Sequence, residues 1–378
     1  MESLLRAELQ HLSESGLRRR PRIVEARQGC AITVDGRAAI DFSSNDYLGL
    51  ASHPALAQSM ARAAHEHGSG AAASRLISGN RTPHRELEER IAHWKETEAA
   101  LLFGSGYQAN LGVVSALAGP EDIVYSDALN HASLIDGCRL SRATVRVFAH
   151  ADAAALDALL AADAGRFRRR LILSDTIFSM DGDAAPLRAL AALATRYDAW
   201  LVVDEAHATG VVGPSGRGLA ADLGVRPQVC IGTLGKAFGV FGAYVAGSRT
   251  LVEYLTNRAR SFVFTTALPP PVAAAASTAV ELAAGPEGDT RRARLRRNIE
   301  RFCAPRNVRA SHIVPIIVGD AARTMQLSDT LLERGIFVQG IRPPTVPPGT
   351  ARLRFALSAA HTDAHIDAAL AALGDLLR

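Results

Sequence analysis

The sequence predicts an α/β protein: a large domain on a mostly parallel, seven-stranded sheet, with a smaller α+β C-terminal domain. Three observations predict it. From about Asp41 to Gly247, short apolar runs alternate with helical patterns, as they do where crossover helices join parallel strands. After Gly247 the alternation stops. Three successive apolar runs also end in polar residues, and open parallel sheets bind ligands beyond the carboxyl ends of their strands.

Taken in order, MESLLRAELQHL at the start reads as an amphipathic helix. It lacks the apolar run of a signal peptide, and no stretch is long and apolar enough to span a membrane, which makes a cytoplasmic protein the expectation. The seven strand-like runs are EAALLF, DIVYSD, ATVRVF, RRLILSD, AWLVVDEAH, VCIGTLG and GAYVAG, read as buried on both faces. Between them, PALAQSMARAAHEHG, TPHRELEERIAHW and PLRALAALATRYD are helical patterns. A long helical stretch follows LPPPVAAAAS, then HIVPIIVG, a helix, IFVQG, ARLRFALS and a last helix. The boundaries expected are an N-terminal segment 1–44, a large domain 45–280 and a small domain 281–378.

With 48% hydrophobic and 21% charged residues over 378 positions, the chain is long and apolar enough for sizeable cores. Its net charge is +4 and its pI about 9.1. The basic runs LRRRPR, FRRR and RRARLRR carry no interleaved aromatics, so solvated helix faces explain them better than nucleic acid does. The four cysteines, Cys30, Cys138, Cys230 and Cys303, form no metal-ligand spacing or disulfide framework, and no metal is expected.

The residue that most needs explaining is Lys236, in IGTLGKAFGVFGAY. The Walker A spacing is absent there, and a plain turn would not need a lysine. A partly desolvated lysine can act as a free amine and form a Schiff base. If the partner is pyridoxal phosphate, a carboxylate must pair with the pyridinium nitrogen. Asp204, at the end of AWLVVD, suits that task, though alone it would read as a turn cap. His131 can cover the ring and His207 can reach its oxygen. In FGSGYQANLG, Gly104-x-Gly106-x-x-Ala109 with Asp127 beyond mimics a dinucleotide fingerprint, but no first Rossmann strand precedes it. Its helix start can still hold a phosphate.

SSNDYLGL, SRLISGNRTPHRELE, GSGYQAN, NHASLIDG, FSMDGDAAPL, VDEAHATGVVGPSGRG, GTLGKAFGVFGAY and IRPPTVPPGTARLRFALSAAHT together resemble the α-oxoamine synthases over nearly the whole chain. The resemblance implies the aspartate-aminotransferase-like fold of pyridoxal-phosphate enzymes (fold type I) and a homodimer. It implies that Lys236 carries the cofactor, Asp204 pairs with its ring nitrogen, His207 bonds its phenolic oxygen and His131 stacks on its ring. Gly106, Tyr107, Ser179 and Thr233 would hold its phosphate end. Arg354, with Asn45 nearby, would hold an amino-acid carboxylate, while Arg18 and Thr345 would contact the acyl substrate. IRPPTVP followed by GTARLR points to the biotin-pathway branch, which condenses L-alanine with a pimeloyl thioester on coenzyme A or an acyl carrier protein. Ser74, where glycine-using relatives carry threonine, favours alanine.

Overall fold

The computed structural model describes residues 1–376. The chain forms two compact units. The first comprises Met1–Gly49, Met180–Gly182 and the segment from Ala293 onward; the second comprises Leu50–Ser179 and Asp183–Arg292.

In the first unit a helix, Glu2–Glu14, leads into strands β1 (Val24–Gln28), β2 (Ala31–Val34) and β3 (Arg37–Asp41). The helix leaves Leu4, Leu5, Leu9 and Leu12 exposed.

The second unit holds β4 (Ala99–Phe103), β5 (Ile123–Asp127), β6 (Thr144–Phe148), β7 (Arg170–Asp175), β8 (Trp200–Asp204), β9 (Val229–Thr233) and β10 (Ala243–Gly247). They form one seven-stranded sheet in the order β4-β10-β9-β8-β7-β5-β6. β10 runs antiparallel to both of its neighbours, β4 and β9, and every other pair is parallel. Each strand coincides with one of the seven apolar runs, because strands covered by helices on both faces must be apolar throughout. β6 is the exception. Expected to be buried on both faces, it leaves Val145 and Val147 exposed, because it is the last strand at one edge of the sheet.

Back in the first unit lie β11 (Ile313–Gly319), β12 (Ile336–Phe337), β13 (Gly340–Ile341) and β14 (Ala351–Ala356). β12 adds in parallel beside β3, and β11-β14-β13 make a second, antiparallel sheet. The core of this unit includes His361, stacked on Phe42 with ring centroids 4.2 Å apart. Its Nε2 donates to the Asp41 carbonyl and its Nδ1 accepts the Ser358 N–H, each at 3.0 Å. Both nitrogens are committed to the neutral ring, and burial pushes the imidazole pKa down to about 4. The unfolded state takes up this proton near pH 6.5 and the folded state only near 4. Stability should therefore fall as pH drops through that window, by about 3 kcal/mol from this residue. Urea midpoints measured from pH 7 to 4 should show a slope that His361→Gln flattens; an equal slope in the variant would refute this assignment.

Candidate active site

β7 and β8 end side by side, with Asp175 paired in register with Asp204. Asp204 is buried; its Oδ1 accepts the Ala206 N–H at 2.8 Å and its Oδ2 accepts from Asn110 Nδ2 at 2.7 Å. Asp175 is buried too, and its Oδ2 accepts the His131 N–H at 2.7 Å. Burial, with the Asp204 charge beside it, pushes the Asp175 carboxyl well above the usual range.

Lys236 rides the short connection between β9 and its antiparallel neighbour β10. Leu234 N donates to Gly242 O (2.9 Å), Gly239 N to Lys236 O (2.9 Å) and Val240 N to Leu234 O (3.0 Å). Gly239 has φ of +67°, and a β-carbon there would stand 2.3 Å from the Ala51 nitrogen, so only glycine fits. The Lys236 Nζ lies 2.8 Å from His207 Nε2. The chain has just one other lysine, Lys95. Lys95 is buried 2.5 Å from Glu205. Burial alone would lower its ammonium, but Cys230 and Glu205 beside it hold it well above the usual lysine range. A locked ammonium is no nucleophile, which leaves Lys236 as the candidate of the two lysines.

The helix Gly106–Leu117 starts beside the end of β9, since a β-carbon on Gly106 would come within 4.0 Å of the Thr233 Cβ. Ser105 Oγ caps its first turn by accepting from Gln108 N at 3.2 Å. The N–H groups of Gly106 and Tyr107 have no acceptor within the helix, which suits an anion. Tyr107 is half exposed, its hydroxyl bonded to Asp136 and its ring edge-on to His131 at 6.4 Å. His131 caps the next helix, Ala132–Ser141, and burial pulls its imidazole below the usual range, with Asp204 opposing and Lys236 reinforcing. Ser179 sits half-buried in the turn after β7. The dinucleotide mimic is explained by Asp127, whose oxygens accept from Leu129 N, Ala151 N and His150 within the fold.

In the first unit, Arg354 is buried at the middle of β14, and both of its terminal nitrogens donate to Asn45 Oδ1 at 3.2 Å. The Tyr47 hydroxyl donates to the same oxygen at 3.0 Å. Arg18 and Thr345 line one cavity of about 840 Å³ with Arg342, whose guanidinium donates to the Arg18 carbonyl at 2.6 Å.

The structure thus brings His131, Asp204, His207 and Lys236 together, and separately Gly106 with Thr233 and Asn45 with Arg354. The sequence reading placed Asp175 at a polar strand end without giving it a role, and it missed Asn110 and Ser133. Asn110 lies one helical turn past Gly106 and Ser133 two residues past His131, and that spacing was the available signal.

The family described as aminotransferase class I and II matches residues 37–373. The chain belongs to this family. Among curated relatives, an 8-amino-7-oxononanoate synthase of Anaeromyxobacter dehalogenans is 53% identical over 98% of this chain and 94% of the relative. One of Geobacter sulfurreducens is 49% identical over 99% and 97%. Of solved structures, a serine palmitoyltransferase from S. paucimobilis superposes with a TM-score of 0.91 at 31% identity, covering 98% of this chain and 96% of the other. An 8-amino-7-oxononanoate synthase from Francisella tularensis gives 0.77 at 31% identity, over 90% and 98%. This member of the aminotransferase class I and II family is a pyridoxal-phosphate enzyme that transfers acyl groups, of α-oxoamine synthase type. Its donor set fits that cofactor: a lysine whose Nζ lies beside His207, a buried strand-end carboxylate, and a helix N-terminus abutting Thr233.

Proposed function

We propose that the chain performs the reaction its curated relatives are named for, 8-amino-7-oxononanoate synthesis: L-alanine and a pimeloyl thioester give the amino ketone, CO2 and free thiol, on the route to biotin. The observation that supports it most is the roughly half-identical match to those relatives over nearly the whole of both chains.

When bound, pyridoxal phosphate supplies an electron sink for the pair left behind as alanine loses its α-proton. Lys236 would hold the cofactor through Nζ, and its amine, when released, would take the α-proton of alanine. His207, 2.8 Å away, would orient that amine and hold the phenolic oxygen. Asp204 would pair with the ring nitrogen. Gly106, Tyr107, Ser179 and Thr233 would grip the phosphate end. His131 would cover the ring and donate to the acyl carbonyl as charge develops there. Arg354 trades its Asn45 contact for the alanine carboxylate, and Arg18 and Thr345 receive the acyl chain. The working enzyme is a cytoplasmic homodimer, fed by coenzyme A or an acyl carrier protein.

Purified enzyme offered alanine or glycine with a panel of acyl thioesters should form 8-amino-7-oxononanoate fastest. Ser74 leaves room for one methyl group, so alanine should beat glycine, by no more than the 10–200-fold that one such group supports. A preference for glycine or another acyl chain would move the protein to a sister branch.

Arg354→Lys should raise the alanine KM about 10- to 100-fold, because lysine cannot copy the two-pronged grip of guanidinium on carboxylate. The thioester KM should change little. Arg18→Ala should do the reverse. Steady-state kinetics with each substrate varied in turn would show the split, and parallel changes in both variants would reject it.

A further inference from the structure

An unassigned chain of hydrogen bonds runs beneath the site. His131 Nδ1 lies 2.7 Å from Ser133 Oγ, Ser133 Oγ lies 2.8 Å from Asn110 Nδ2, and Asn110 Nδ2 lies 2.7 Å from Asp204 Oδ2. Ser133 and Asn110 are fully buried. Bond direction follows from chemistry. A carboxylate only accepts, so the Asn110 group facing Asp204 must be its NH2. The second hydrogen of that NH2 then points at Ser133, whose oxygen accepts it. The Ser133 hydroxyl hydrogen is left for His131 Nδ1, which also receives the Ser133 backbone N–H at 3.3 Å. With Nδ1 an acceptor twice over, the neutral ring must carry its proton on Nε2.

We infer that Ser133 and Asn110 are positioning residues: they hold His131 in its Nε2–H form and tie that choice to the Asp204 carboxylate. The inference rests on His131 acting at the acyl carbonyl as proposed above, and it explains how that nitrogen can donate. Of the groups around His131, Asp204 favours a second proton on the ring, whereas burial and Lys236 oppose it. Asp175 bonds its backbone N–H, and Tyr107 meets it ring to ring. The histidine therefore serves as a donor without becoming a cation.

The test uses holoenzyme with 15N-labelled histidine, comparing wild type, Ser133→Ala and Asn110→Ala. Wild type should show His131 in the Nε2–H form alone. Both variants should show a mixture of the two neutral forms, and kcat should fall about tenfold while the alanine KM stays within about twofold. Asn110→Ala should in addition shift the visible absorption of the bound cofactor, since Asp204 loses a donor; Ser133→Ala should leave it in place. If either alanine variant fails to fold, Ser133→Cys and Asn110→Thr, close in size, take their places. His131 remaining purely Nε2–H in both variants overturns the inference. Failure of the wider reading looks different: His131→Ala would then keep its kcat, while the 15N spectra would still report whether the relay exists.

Discussion

Replacing Lys236 by alanine should lower turnover of alanine by about 10⁴-fold, the upper end of what a proton-transfer group contributes, because the covalent tie and the base are lost together. With just two lysines in the chain, the readout is unusually clean. Borohydride should fix the cofactor to the wild-type peptide containing Lys236, and the variant should release all of its cofactor on dialysis after the same treatment. Lys95 should stay unlabelled in both, locked against Glu205. Label on the Lys95 peptide, or wild-type turnover in the variant, would remove Lys236 from the chemistry.

Asp204→Asn should cost about 10³-fold in the exchange of the alanine α-proton with D2O, comparable to losing a preorganised charge elsewhere in enzymes. The fold should survive. The amide oxygen can keep the hydrogen bond from Ala206 N, whereas the NH2 that replaces Oδ2 faces Asn110, which must turn its own amide oxygen toward it. What disappears is the negative charge needed to keep a proton on the cofactor's ring nitrogen. Exchange by NMR within a few-fold of wild type would make Asp204 a structural cap, the plain reading its strand-end position allows.

The large sheet was legible because its strands are apolar on both faces, and the helices between them carry their own periodicity. β6 misled because composition does not say which strand lies at an edge; Val145 and Val147 look the same in sequence whether covered or not. Asp175, Asp204 and Thr233 were legible as polar residues at strand ends, and Lys236 as a lone lysine among glycines just beyond one. Asn110 and Ser133 were not, since an asparagine in a helix and a serine after a cap have many uses. Their meaning comes from β7, β8 and two helices converging on one buried spot. The ordinary look of SRLISG hid another such case. It forms a π-helical turn over Arg75–Gly79, clamped where Arg75 meets both oxygens of Glu88 at 3.0 and 2.8 Å.

The tight connection that carries Lys236 also limits which motions the chemistry can use. Three internal backbone hydrogen bonds and a glycine seated on Ala51 leave the peptide beneath the lysine no slack. An amine in the double role proposed for Lys236, bond-former and proton carrier, would then travel by rotation about its own four methylene groups. Such rotations take picoseconds to nanoseconds, whereas loop opening and domain rearrangement run to microseconds and beyond. In the role proposed for it, Lys236 would swing like an arm on a fixed shoulder, its stroke set by the side chain rather than by the backbone.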